Sequence, residues 1–120
     1  MMNKKDFSIV CIGAGNVATH LAQALQQKGF HLSQIYSRTQ ESAQALAQTL
    51  GCAWTTCLEQ VDEHADLYIV SVKDAVLETV ISQLVHCNPD ALYLHTAGSM
   101  PMEVWKEKFK NYGVAYPMQT

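Results

Sequence analysis

No run of apolar residues in this 120-residue chain approaches the ~20 needed to span a membrane. No secretory leader is expected either. Met1 to Asp6 is mostly polar, and the apolar run Phe7 to Ile12 is far shorter than a leader core with its cleavage site. Charge of one sign is scarce: the formal net charge is −3. That gives no electrostatic reason to expect a nucleic acid or an acidic membrane as partner. No CxxC pair occurs, no His/Cys/Asp group has metal-ligand spacing, and no GxSxG nucleophile elbow is present, so no metal is expected. The four cysteines, Cys11, Cys52, Cys57 and Cys87, read as reduced, partly buried thiols of a cytoplasmic protein. A Cys52–Cys57 disulfide is set aside on the same compartment grounds. With three prolines and six glycines, the chain has no low-complexity segment, solenoid repeat or interdomain linker. Its length is that of one ordinary domain.

What is present is alternation. Phe7 to Ile12 reads as a buried strand, short and nearly continuous in apolar residues. Asn16 to Lys28 reads as a helix, with Val17, Leu21 and Leu25 on one face, widened by Ala18 and Ala22, and Gly29 as its stop. The scheme repeats: strand 32–37, helix 40–50 ended by Gly51, short strand 52–55, a turn or brief helix 58–63, and strand 66–72. A helix 74–86 follows, with Val76, Val80 and Leu84 at four-residue steps. Strand 91–95, a helix 102–110 opened by Pro101 and strand 114–116 complete the order. Strand and helix alternating through short links means parallel strands with right-handed crossovers. The fold class is therefore α/β: a doubly wound parallel sheet of the Rossmann kind, about six strands in the order 3-2-1-4-5-6.

The chemistry lies first in Gly13-Ala14-Gly15-Asn16-Val17-Ala18, a GxGxxA sequence between a strand and a helix. Gly13 lets the chain turn sharply off the strand. Gly15 lets a pyrophosphate approach the backbone, and Ala18 is small enough for the helix to pack on the sheet. The helix start offers free N–H groups and a partial positive charge to the phosphates. The bland reading is a tight turn with no ligand.

The end of the second strand names the dinucleotide. An NAD-binding domain usually carries Asp or Glu there for the ribose hydroxyls. Here the residues are Ser37, Arg38 and Thr39, a cation flanked by two hydroxyls, which suits the 2′-phosphate of NADP(H). Against this stands a solvated arginine beside a helix start. Glu41, in the first turn of the next helix, reads as structural. The backbone of Ser71, Val72 and Lys73, ending the fourth strand, is expected to line the nicotinamide side, with Val76 touching the adenine or ribose edge. Thr96, Ala97 and Gly98, after the fifth strand, are expected to flank the nicotinamide ribose. Catalytic residues are not fixed. Lys73 and His95 are weak candidates, the first balanced against a surface lysine and the second against a packed histidine. Trp54 and Trp105 read as core or rim aromatics, and apolar surface near Met100, Met102 and Trp105 is a candidate dock for a further domain or a second subunit.

Ile12-Gly13-Ala14-Gly15-Asn16-Val17-Ala18, His20-Leu21, Tyr36-Ser37-Arg38-Thr39, His95-Thr96-Ala97-Gly98-Ser99 and Tyr116-Pro117-Met118-Gln119-Thr120 together resemble a bacterial family. These are Rossmann-like NADP oxidoreductases with a C-terminal helical domain, similar to deazaflavin-dependent NADP reductases. More distantly the chain is similar to pyrroline-5-carboxylate reductase and the 3-hydroxyacid dehydrogenases. The resemblance implies an NADP(H)-dependent oxidoreductase of two domains, usually a homodimer, acting on a small-molecule substrate. Much of the substrate pocket would belong to a second domain, and the chain reads as the first domain of something longer. Tyr116 stands where the family commonly has His, which weakens a catalytic part for that segment. The expected function is hydride transfer between NADPH and a small substrate. The rival is a module that senses NADP(H) without chemistry. A third reading, a methyltransferase or adenylate-binding domain, sits poorly with Arg38, since free ribose hydroxyls would want an acid.

Overall fold

The computed structural model describes residues 6–96, 102–106 and 108–114. Strands and helices alternate as β1 (Ser8–Ile12), α1 (Asn16–Gln27), β2 (His31–Tyr36), α2 (Gln40–Leu50), β3 (Ala53–Thr55), β4 (Leu67–Val70), α3 (Asp74–Ser82), β5 (Leu92–His95) and β6 (Tyr112–Val114). Short 3-10 turns occupy Leu58–Gln60 and Met102–Trp105. All strand pairs are parallel, and the order is β3-β2-β1-β4-β5-β6, as the sequence predicts.

The two-residue period of a strand divides β1 between two cores. Ile9 and Cys11 join Leu32, Ile69, Ala22, Leu46, Ala47 and Leu50, so α1 and α2 cover one face. Val10 and Ile12 join Tyr68, Val70, Leu77, Ile81, Leu84 and Trp105, so α3 and the turn before β6 cover the other. Both faces being covered explains why β1 and β4 are nearly continuous in apolar residues. α2 has the clearest local signals: Thr39 Oγ1 accepts from the Ser42 amide at 3.4 Å, Glu41 lies in the first turn, and the helix stops at Gly51.

Several boundaries differ from the sequence reading. In α1, Ala18 and Ala22 are the buried pair, while Val17 is 42% exposed and Leu21 and Leu25 are half-buried. In α3 the buried set is Leu77, Val80, Ile81 and Leu84, and Val76 is 45% exposed. The reason is common to both helices. A step of four residues overshoots the 3.6-residue turn, so a strict four-residue series drifts round the helix and its first member leaves the core face. α3 also ends at Ser82 and not at 86, because Gln83, Leu84 and Cys87 amides bond three residues back. Strand β4 is shorter than 66–72. Just before it, Asp66 donates its amide to the Ser8 carbonyl and accepts from the Leu92 amide, and its carboxylate also accepts from the Ser8 amide at 3.0 Å. The helix expected over 102–110 is only the 3-10 turn and further turn bonds. β6 begins at Tyr112, paired with Tyr93, two residues before the expected start; residues 115 and 116 lie outside the described ones. Finally, Trp105 contributes nothing to an exposed dock, being fully buried under β5, while Met100 and the Met102 side chain lie outside what the structure describes.

The amino ends of the strands are closed by polar groups paired within the fold. Tyr68 Oη donates to the Asp62 carbonyl and accepts from the Ala65 amide. Tyr93 Oη donates to the Asn88 carbonyl at 2.6 Å, and Asn88 Nδ2 donates to the Ala65 carbonyl at 3.1 Å. The two tyrosine rings stack at 4.9 Å, and burial pushes both phenols above their usual range. This end satisfies its own donors and acceptors. A shallow concavity there, lined by Pro89, Lys108, Phe109 and Lys110, is far from the glycine turn. No helix among the described residues is long and apolar enough to cross a membrane.

Candidate functional site at the carboxyl edge of the sheet

The carboxyl ends of β2, β1 and β4 lie side by side, and the glycine turn is wedged among them. The Gly13 amide donates to the Tyr36 carbonyl at 2.7 Å, and the Ser71 amide donates to the Ile12 carbonyl at 2.8 Å. Gly13 has φ +116°, and a Cβ on it would stand 2.3 Å from the Ser71 carbonyl oxygen. Both facts demand glycine here for the fold itself. Gly15 is different. It caps α1 with an extended backbone at φ −79°, and a Cβ there would meet nothing within 4 Å. The fold therefore does not require glycine at position 15, and the space above it is open. Neither a side-chain cap nor a first-turn carboxylate answers the positive end of α1. Ala18 is buried, so α1 lies close on the sheet. Ala14 is half-buried, and Asn16 is exposed beside the turn.

At the end of β2, Ser37 is buried and its amide donates to the Thr55 carbonyl at 3.2 Å. Arg38 is exposed, with no ion pair or hydrogen bond to any described residue. Thr39 is exposed, and its oxygen serves as the α2 cap, which leaves its hydroxyl hydrogen to donate outward. Glu41 sits in the first turn of α2, away from the strand end proper.

At the end of β4, Ser71 Oγ is shut off from solvent and has no hydrogen-bond partner among the described residues. An unpaired buried hydroxyl costs about 1–3 kcal/mol. The sequence reading used only the backbone of Ser71; a lone serine closing an apolar strand was the available signal. Val72 is half-buried against the α3 core, and Lys73 is the exposed residue that opens α3. Val17 and Val76, read both on the apolar helix faces and as candidate cofactor contacts, are the exposed first-turn valines of α1 and α3 at this same edge. The Thr96 amide donates to the Val70 carbonyl at 3.1 Å, and its side chain is half-buried. Ala97 and Gly98 lie outside the described residues.

His95 has a packing partner. Both rings are fully buried, and Trp105 Nε1–H donates to His95 Nδ1 at 2.9 Å. That bond leaves the ring proton on Nε2. It ties the end of β5 to the turn before β6. His95→Leu would strand the indole N–H in the core. We expect a loss of ~2–3 kcal/mol in urea unfolding, about 1 kcal/mol of which returns in the double variant His95→Leu/Trp105→Phe. Strict additivity of the two single changes would show that the bond contributes nothing. All four cysteines are free; burial pushes the Cys11 thiol up to about 12 and the Cys87 thiol up to about 11, away from thiolate chemistry. The described residues hold no group of three or more potential metal ligands.

Residues 8–97 match the family described as NADP oxidoreductase, coenzyme F420-dependent. A solved structure of a putative NADP oxidoreductase from Bacteroides fragilis is similar at 50% identity and a TM-score of 0.92; it covers 98% of this chain, while the chain spans 46% of that protein. Two further solved structures share the fold alone. The imine reductase of Myxococcus stipitatus, in complex with NADP+, is 18% identical with a TM-score of 0.73, over 92% of this chain and 42% of its own. Pyrroline-5-carboxylate reductase of Coxiella burnetii is 21% identical with a TM-score of 0.68, over 79% of this chain and 36% of its own. A comparison with curated proteins finds no match. The glycine turn, the sheet order and the match over residues 8–97 agree: the chain belongs to the NADP oxidoreductase, coenzyme F420-dependent, family and carries its Rossmann dinucleotide-binding fold.

Proposed function

We propose that this domain binds NADP(H) in preference to NAD(H), as part of an oxidoreductase acting on a small molecule. The observation that carries the preference is Arg38: a guanidinium at the end of β2 with no partner among the described residues, between two hydroxyl residues, with no carboxylate on the strand end. The groups present fit the dinucleotide along its length. Arg38, Ser37 and Thr39 would take the 2′-phosphate. Gly13, Ala14 and Gly15, with the first turn of α1 from Asn16 to Ala18, would hold the diphosphate. Residues 71–73, Thr96 and the 97–98 segment would lie along the nicotinamide half, and the exposed Val17 and Val76 would supply apolar contact. When bound, NADPH supplies the hydride. The substrate, and the acid or base that serves it, belong to a pocket completed by further chain, as the 46% span of the Bacteroides fragilis protein suggests. A homodimer built through that further chain is part of the same reading.

The test is a parallel titration of the chain with NADPH and NADH, followed by thermal unfolding. Saturation at about 100 times the dissociation constant adds ~2.7 kcal/mol, a rise of several degrees in Tm for a domain of this size. A rise with NADPH at concentrations where NADH gives little supports the reading. Equal shifts sink the preference and keep the dinucleotide; no shift with either sinks both.

A further inference from the structure

We propose that the Ser71 hydroxyl is a hydrogen-bond donor to the nicotinamide half of the bound dinucleotide, at the phosphate–ribose junction beside the glycine turn. The inference rests on the dinucleotide reading above and goes beyond it by assigning a side chain that sets cofactor position. Three observations carry it. The Ser71 oxygen is the single buried side-chain polar atom without a partner among the described residues. The strand ends around it do pair their polar groups: the Ser71 amide is bonded to Ile12, the Thr96 amide to Val70 and the Ser37 amide to Thr55. So the unpaired hydroxyl is an exception at one place in a satisfied frame. That place is against the turn, since the Ser71 carbonyl and Cβ stand 2.3 and 3.5 Å from where a Gly13 Cβ would be.

Sheet order then says which half of the ligand is met. β2, β1 and β4 are neighbours in that sequence, so Arg38, the glycine turn and Ser71 follow one another across the edge. A dinucleotide with its 2′-phosphate at Arg38 and its diphosphate at the turn places its other half over β4. A hydroxyl is a suitable group there, being able to donate to a phosphate oxygen and to accept from a ribose hydroxyl.

The experiment compares two ligands on three chains. NADPH carries both halves. Adenosine 2′,5′-bisphosphate carries the Arg38 end and lacks the nicotinamide half. Affinities are read by calorimetry for the unaltered chain, Ser71→Ala and Arg38→Ala, and the Tm of each free protein is recorded. Ser71→Ala is expected to bind NADPH about tenfold more weakly, equivalent to ~1.4 kcal/mol, and the bisphosphate unchanged. Its free Tm should be equal or higher, because an unpaired hydroxyl has been removed from the fold. Arg38→Ala should weaken both ligands. Unchanged NADPH affinity in Ser71→Ala overturns the inference, as does equal weakening of both ligands with a lowered Tm, which marks a structural role. If the unaltered chain binds neither ligand, the dinucleotide reading fails and this inference goes with it.

Discussion

Gly13→Ala should lower the unfolding free energy by ~3 kcal/mol or more and Tm by on the order of 15 °C. Two separate penalties meet at this position. The backbone at φ +116° is open to glycine and strained for alanine, a penalty of ~1–3 kcal/mol. The added Cβ would also lie 2.3 Å from the Ser71 carbonyl oxygen, which is backbone held by its strand and cannot step aside. Relief would require parting the ends of β1 and β4, a further ~1–3 kcal/mol. For a domain with ~5–15 kcal/mol in hand, that is a large share of the whole. The neighbouring Gly15→Ala serves as contrast. Its Cβ meets nothing and its backbone is extended, so the free domain should keep its Tm within about 2 °C. The same change should weaken NADPH binding, because it places a methyl group where the diphosphate would approach. Two glycines one residue apart, alike in sequence, would then separate cleanly into one needed by the fold and one needed by the ligand. Equal loss of Tm in both variants would refute that division.

Arg38→Ala should lower NADPH affinity at least tenfold and leave NADH within about twofold. A hydrogen bond to a charged group is worth ~1.5–3 kcal/mol, and ~1.4 kcal/mol is a factor of ten. Arg38 has no partner among the described residues, so its removal breaks nothing in the free protein and the whole effect falls on the ligand. Arg38→Asp should go further and favour NADH, since a carboxylate accepts from ribose hydroxyls and repels a phosphate. The NADPH preference should shrink with added salt, because the guanidinium is exposed and its field is screened over ~8–10 Å. Calorimetry in low and high salt with both cofactors measures this directly. An Arg38→Ala protein that still prefers NADPH would move the 2′-phosphate elsewhere.

The elements that could be read from the residues were those with local causes. The buried strands β1 and β4 announce themselves as apolar runs, α2 by its Thr39 cap and Gly51 stop, and the parallel order by alternation with short links. The glycine turn and the absence of a carboxylate near Arg38 are equally local, so the position of a dinucleotide and the case for its 2′-phosphate rest on sequence. What failed were inferences that needed a neighbour. Val17 and Val76 sit at helical spacing and are also candidate cofactor contacts; only the seating of α1 and α3 on the sheet decides against the core position and turns both outward. Trp105 reads as core or rim from its sequence, and only β5 and β6 closing over it, with His95 accepting its N–H, decide for the core. The unlike roles of Gly13 and Gly15 depend on where the Ser71 carbonyl stands, some sixty residues away along the chain. The unpaired Ser71 hydroxyl is of the same kind, because whether a polar atom is satisfied is a property of everything packed round it. Sequence determined the frame, since period, caps and turns act over a few residues. Tertiary structure decided which side chains that frame spends on itself and which it leaves for a ligand, since burial and pairing are fixed only when distant strands meet.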